Sequence, residues 1–154
     1  MNGWRQRGTT TVEFAFIGAT ALIVLFAAIE VGRALFVVNA LNESTRRGAR
    51  MAAVCPLNDP AIAEVALFNT PGGGSASPVI GGLTAANVLV EYLGANGDPT
   101  GTFNNIRFVR VRIVDFQHQM LIPFASYIFT APPSATTLPR ESLGIPRDGT
   151  VQAC

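Results

Sequence analysis

The stretch TTTVEFAFIGATALIVLFAAI, Thr9–Ile29, decides how this chain is read. Its last sixteen residues, lying between Glu13 and Glu30, carry no charge. A helix that crosses a bilayer needs about 20 predominantly apolar residues. Sixteen fall short, whereas the twenty-one from Thr9 to Ile29 suffice. The longer segment contains one carboxyl, Glu13, and an ionised carboxylate at the edge of hydrocarbon needs a partner. The source of that partner separates the readings of the segment.

A secretory signal peptide would use Arg5 and Arg7 as its basic head and the run as its apolar core. It also needs small residues at a cleavage site just after the run. Ala27 and Ala28 are small, but Leu25 and Phe26 fill the positions three before each cut. Ala19 and Ala21 have the right spacing, yet cleavage there would cut the run in half. An uncleaved anchor leaves Glu13 without a purpose. Cleavage before the run, between Gly8 and Thr9, makes Thr9 the new N-terminus and Glu13 its fifth residue, followed by Phe14. The new α-amino group then lies one helical turn from Glu13, at i,i+4 spacing. Glu13 can pair with its own amine or with that of a neighbouring subunit. A helix N-terminus also favours a carboxylate in its first turns. Paired charges are tolerated in apolar surroundings where lone ones are not.

Outward from this segment, no Pro occurs between Thr9 and Val54, and Gly occurs only singly. One helix of about 45 residues, about 68 Å long at 1.5 Å per residue, is predicted. In its second half Val37, Leu41, Ser44, Gly48, Met51 and Cys55 form one stripe suited to packing on a small domain. Glu43 and Arg47 have the favourable i,i+4 spacing, with Arg46 and Arg50 on other faces. Glu30 and Arg33, three apart near the outer membrane boundary, read as a mutual pair or as a contact between subunits. Cys55-Pro56 stops the helix. Asp59-Pro60 starts a short one, with Asp as N-cap and Pro at N1, running to about Phe68 with Ile62, Val65 and Leu67 partly buried. Asn87–Leu93 and Ile106–Phe116 read as strands. The second alternates Val109, Val111 and Ile113 against Arg110 and Arg112. GANGDPTG between them is turn chemistry. Met120–Phe129 is apolar but carries Pro123, and stays open between a loop over the sheet and a partner-binding surface. Thr136–Leu143 reads as an edge strand, where Pro139 is tolerated. The fold class expected is α+β, one long helix on a small antiparallel sheet.

Composition narrows the function classes. The chain has 154 residues, 49% of them hydrophobic and 14% charged, with a net charge of +1. That balance argues against a nucleic-acid binder, which carries a basic excess. The glycines of TPGGGSASP lack the Lys-Ser/Thr that follows in a phosphate-cradling loop. His118 is the only histidine, and no acidic pair or nucleophile–base set accompanies it. The expectation is a chain that is not an enzyme, with no catalytic residues, metal or cofactor. Two cysteines and one histidine cannot supply a four-ligand zinc site. Cys55 and Cys154 permit one intramolecular disulfide. It would give about 4–5 kcal/mol in the chain-entropy model and would require an oxidising compartment. Two free thiols in a reducing cytosol are the alternative.

RGTTTVEFAFIGATALIVLFAAIEVGRALFVVNALNESTRRGARMAAV resembles the N-terminal segment of TadE-like proteins, minor pseudopilins of the tight-adherence (Tad) type IV pilus system. The resemblance is carried by Gly8, Glu13-Phe14, Glu30-Val31-Gly32-Arg33 and Gly48-Ala49-Arg50-Met51-Ala52-Ala53. It implies a pilin-like α+β fold with a leader at 1–8, a transmembrane part at 9–30, the rest of the helix at 31–54 and a small outer domain at 55–154. It implies cleavage at Gly8–Thr9 by a prepilin peptidase. It implies assembly through Glu13, Phe14, Glu30 and Arg33 with other pilin-like subunits and an inner-membrane assembly platform. Adhesion and biofilm formation are the roles that go with it. The location implied is the bacterial inner membrane, with the N-terminus cytoplasmic and the domain periplasmic, or within an extracellular pilus. Positive charge conflicts with this orientation, because Arg33, Arg46, Arg47 and Arg50 follow the run and only Arg5, Arg7 and the initial amine precede it. Cysteine pairing and the leader pattern outweigh that count. The rival is a single-pass anchored periplasmic binding domain unrelated to pili; an anchored enzyme ranks below it.

Overall fold

The computed structural model describes residues 7–121, 128–145, 149–151 and 153–154, with side chains from Thr9 onward. Residues 1–6 of the expected leader and residues 122–127 of the open apolar segment lie outside the described residues.

Helix α1 runs from Arg7 to Val54, 48 residues and about 72 Å. It begins two residues earlier than expected, so Gly8 and Thr9 lie within its first turn. Val54 is the last helical residue because Pro56 cannot continue the ladder. The first half of α1 packs on no other element among the described residues: Phe14, Phe16, Ile17, Leu22, Ile23, Val24, Leu25, Phe26 and Ile29 are all exposed. This helix is long and apolar enough to cross a membrane.

The second half carries the domain. Val37, Leu41, Ser44, Gly48 and Cys55 are buried as the stripe requires, with Met51 half-buried. The buried band is wider than one stripe, because Thr45, Ala49, Ala52 and Ala53 are buried beside it. A helix that touches both a second helix and a sheet buries two adjacent rows rather than one. Small side chains make this possible. A Cβ at Gly48 would stand 3.0 Å from the Cβ of Ala66 and 3.1 Å from Cγ1 of Val111.

Helix α2, Pro60–Ala66, starts as expected. Asp59 Oδ1 accepts from the Ala61 amide at 2.9 Å, and Pro60 occupies the first helical position. It stops at Ala66, and Phe68 follows with φ 66°. Strands β1 (Val88–Leu93), β2 (Phe108–Ile113) and β5 (Ser134–Pro139) form an antiparallel sheet in the order β1-β2-β5. Val109, Val111 and Ile113 of β2 face the helices and are buried. On the outer face Glu91, paired in register with Arg110, meets Arg110 Nε at 2.6 Å and Arg112 Nη1 at 3.6 Å. Opposite charges directly across two strands support the register.

Three expectations shift. The long strand over Ile106–Phe116 is interrupted. After β2, Asp115 turns with φ 53°, and a two-stranded hairpin of β3 (Gln117–Gln119) and β4 (Ile128–Thr130) begins. The turn lets Phe116 enter a core formed by Val37, Ala40, Leu41, Leu67, Ile80, Leu83 and Ile113. The last strand lies at 134–139 rather than 136–143; β5 is an edge strand and ends at Pro139. Residues 141–144 instead close the end of α1. The amides of Glu141 and Leu143 donate to the Ala53 carbonyl at 3.0 and 3.3 Å, and the Gly144 amide and the Ser142 hydroxyl donate to the Val54 carbonyl at 2.6 and 3.0 Å. The final carbonyls of a helix lack partners within it, and this segment supplies them. Burial raises the Tyr92 hydroxyl above its ordinary pKa of 10.0, although the Asn58 amide donating to it at 2.9 Å opposes the shift.

Candidate functional site

The functional face is α1 itself, read from its N-terminal end upward. Gly8 and Thr9, the expected cleavage pair, lie in helical backbone. Glu13 and Phe14 follow on the exposed surface, Phe14 being 77% exposed. Glu13 has no ion-pair partner among the described residues. Its carboxylate sits at the edge of an apolar surface.

The apolar half ends at a polar cluster. Arg33 Nη1 donates to both oxygens of Glu30, at 3.1 and 2.8 Å. This is the mutual pair allowed by the i,i+3 spacing. Glu30 is only 7% exposed, because β3 covers it: His118 Nε2 stands 3.6 Å from Glu30 Oε1. At that distance no hydrogen bond forms, and this buried nitrogen has no hydrogen-bond partner among the described residues. Sequence reasoning missed the placement of His118. Its separation from Glu30 along the chain conceals the contact, and no periodicity links a helix residue to a hairpin that docks on it. Arg33 stays partly exposed.

The outer end of α1 is held by covalent chemistry. Cys55 and Cys154 form a disulfide across 99 positions, with their Cα atoms 5.7 Å apart. The Cys154 amide also donates to Asp59 Oδ2 at 3.3 Å, so the residue that caps α2 holds the tail as well. Further up the helix, Arg47 lies 3.6 Å from Glu43 and stacks 5.0 Å from the Phe68 ring centroid. The Arg-rich face of α1 is therefore partly spent on the domain.

No curated protein and no solved structure matches the chain. A family model described as TadE-like protein matches residues 8–50, the span that holds Gly8, Glu13, Phe14, Glu30 and Arg33. In that segment, an exposed apolar half-helix continued into a half that carries the rest of the fold, the chain is similar to TadE-like proteins, and the match spans 43 of its 154 residues.

Proposed function

We propose that this chain is a minor pilin-like subunit of a Tad-type pilus, with a structural rather than a catalytic role. Prepilin peptidase removes residues 1–8, and the Thr9 amine becomes the head of a membrane-held helix. That helix passes among those of other pilin-like subunits on an inner-membrane assembly platform, toward a pilus serving adhesion and biofilm formation. The observation that carries this reading is the exposed apolar half of α1 with Glu13 near its end, which has no ion-pair partner among the described residues, within the TadE-like span. In the assembly the amine of a neighbouring subunit supplies a cation for Glu13, which has none among the described residues. Arg33, partly exposed beside its partner Glu30, supplies a second polar contact between subunits. The disulfide supports an oxidising, periplasmic or external location for the domain. An anchored binding domain outside any pilus is the alternative, and it needs no cleavage at Gly8.

Intact mass of the membrane-extracted chain separates the two. The mass corresponding to residues 9–154 is expected in cells with a prepilin peptidase, and the uncut mass in cells without one. An uncut chain in both would overturn the proposal.

A further inference from the structure

We infer that the back of the second half of α1 is a docking face for an acidic helix of a different pilin-like subunit, and that it disfavours a second copy of this chain. The inference rests on the pilin-like reading of α1 and names the chemistry of one partner. Spacing defines the face. Val31, Leu35, Asn39, Asn42, Arg46 and Arg50 recur at intervals of 4, 4, 3, 4 and 4, which puts them in one row along the helix. All six are exposed. The row lies on the side of α1 away from Val37, Leu41, Ser44 and Gly48, which are buried against the rest of the fold. Its chemistry changes with height. Val31 is 60% and Leu35 59% exposed, so the apolar surface of the first half continues past Glu30. Two amides follow, and then two guanidiniums about 24–30 Å above Glu30 at 1.5 Å per residue. Contiguous exposed apolar side chains at the base of the row mark it as an interaction surface.

Charge decides which helix fits. Arg47 is engaged by Glu43 at 3.6 Å and by the Phe68 ring at 5.0 Å. Arg46 and Arg50 have no ion-pair partner among the described residues. The row therefore ends in two cations at i,i+4 spacing, an arrangement that destabilises a helix. Both follow the apolar run within about 20 residues, the distance over which basic residues favour the cytoplasmic side. They thus also oppose the orientation that the disulfide supports. Carboxylates on a neighbouring helix at this height offset the repulsion and complement the face. A second copy in the same membrane orientation brings its own Arg46 and Arg50 to that height, where cation meets cation. Its nearest acid on α1, Glu43, is already engaged by Arg47.

Photo-crosslinking between two differently tagged full-length copies tests this, in membranes of cells that lack the other pilin-like subunits. One copy carries p-benzoylphenylalanine at Asn42 or at Leu22. The other is wild type, Arg46→Glu/Arg50→Glu or Arg46→Lys/Arg50→Lys, and the doubly reversed copy stands in for the acidic partner. A disulfide retained in the non-reducing mass shows that each copy is folded. From Asn42, the Glu variant is expected to be captured about fivefold more than the wild-type copy. The Lys variant, which keeps the charge, is expected to behave as wild type. The preference is expected to vanish at high salt, because exposed pairs are screened. From Leu22, all copies are expected to be captured, since the apolar halves meet within the membrane whatever the charge above them. Leu22 crosslinks with equal, absent or wild-type-favouring capture from Asn42 would overturn the charge-selective face and leave the pilin-like reading standing. A preference that persists at high salt would overturn its electrostatic origin, and the inference with it. No crosslink from Leu22 to any copy would overturn association through α1, and so both the pilin-like reading and the docking face.

Discussion

Glu13 and Glu30 are both carboxylates on one helix, and their surroundings give them opposite tasks. Glu30 has its charge satisfied within the chain by Arg33, and it is covered by His118. Glu13 is exposed and has no ion-pair partner among the described residues. A charge satisfied at home contributes to the fold, and an unsatisfied one at an apolar edge contributes to association. Glu13→Ala is therefore expected to leave cleavage, insertion and disulfide formation intact and to reduce co-purification with other pilin-like subunits. Crosslinking of the membrane-held chain measures this, and unchanged assembly in the variant would contradict the pairing. Glu13 was legible in the sequence, since its position inside an apolar run is itself the anomaly. The role of His118 was not, because only docking of the hairpin brings it to Glu30.

Helix α1 has an exposed apolar half and a half that packs on the rest of the fold. Its outer half is held close to α2 and β2 by a band of small residues, Gly48, Ala49, Ala52 and Ala53, where a single Cβ at Gly48 already meets Ala66 and Val111. Overpacking such a contact costs about 1–3 kcal/mol, so Gly48→Leu is expected to lower the thermal midpoint of the domain, followed by near-ultraviolet circular dichroism. Gly32 meets nothing within 4 Å. Gly32→Ala should instead raise stability or leave it unchanged, because Ala is favoured over Gly by about 1 kcal/mol in a helix interior. A gain for Gly48→Leu like that for Gly32→Ala would show that helix propensity, not packing, decides. The heptad-like spacing along 37–55 made one buried stripe legible. The second row was hidden, since Ala is compatible with either a buried or an exposed helix face.

At the scale of the whole molecule, the part of the chain that follows α1 leans on that helix for its core. Ala49, Ala52 and Ala53 of α1 pack with Ile62, Ile106, Val109, Val111 and Leu143 in one cluster. Residues 141–144 close the helix end, and the disulfide fastens the tail beside them. Gly144 belongs to this closure. It holds φ +77°, and a Cβ there would fall 2.5 Å from Cγ of Pro56. Small domains depend on such staples. Reduction of Cys55–Cys154 is expected to lower stability by about 2–5 kcal/mol, measured as the shift in denaturant midpoint with and without reductant. An unchanged midpoint would show that the core and the 141–144 closure hold the tail without the disulfide.

The sequence by itself determined the long helix, its division into an apolar half and a domain-bearing half, the start of α2, the pairing partner of Cys55 and the inward face of β2. Each follows from local chemistry: an uninterrupted apolar run, a capping Asp before Pro, two cysteines, and period-two alternation. Only the tertiary structure decided where the strand after Ile113 breaks, what covers Glu30, and that residues 141–144 cap a helix rather than extend a sheet. Those outcomes depend on groups distant in sequence competing for the same carbonyls and the same buried space, and no local pattern encodes which of them wins.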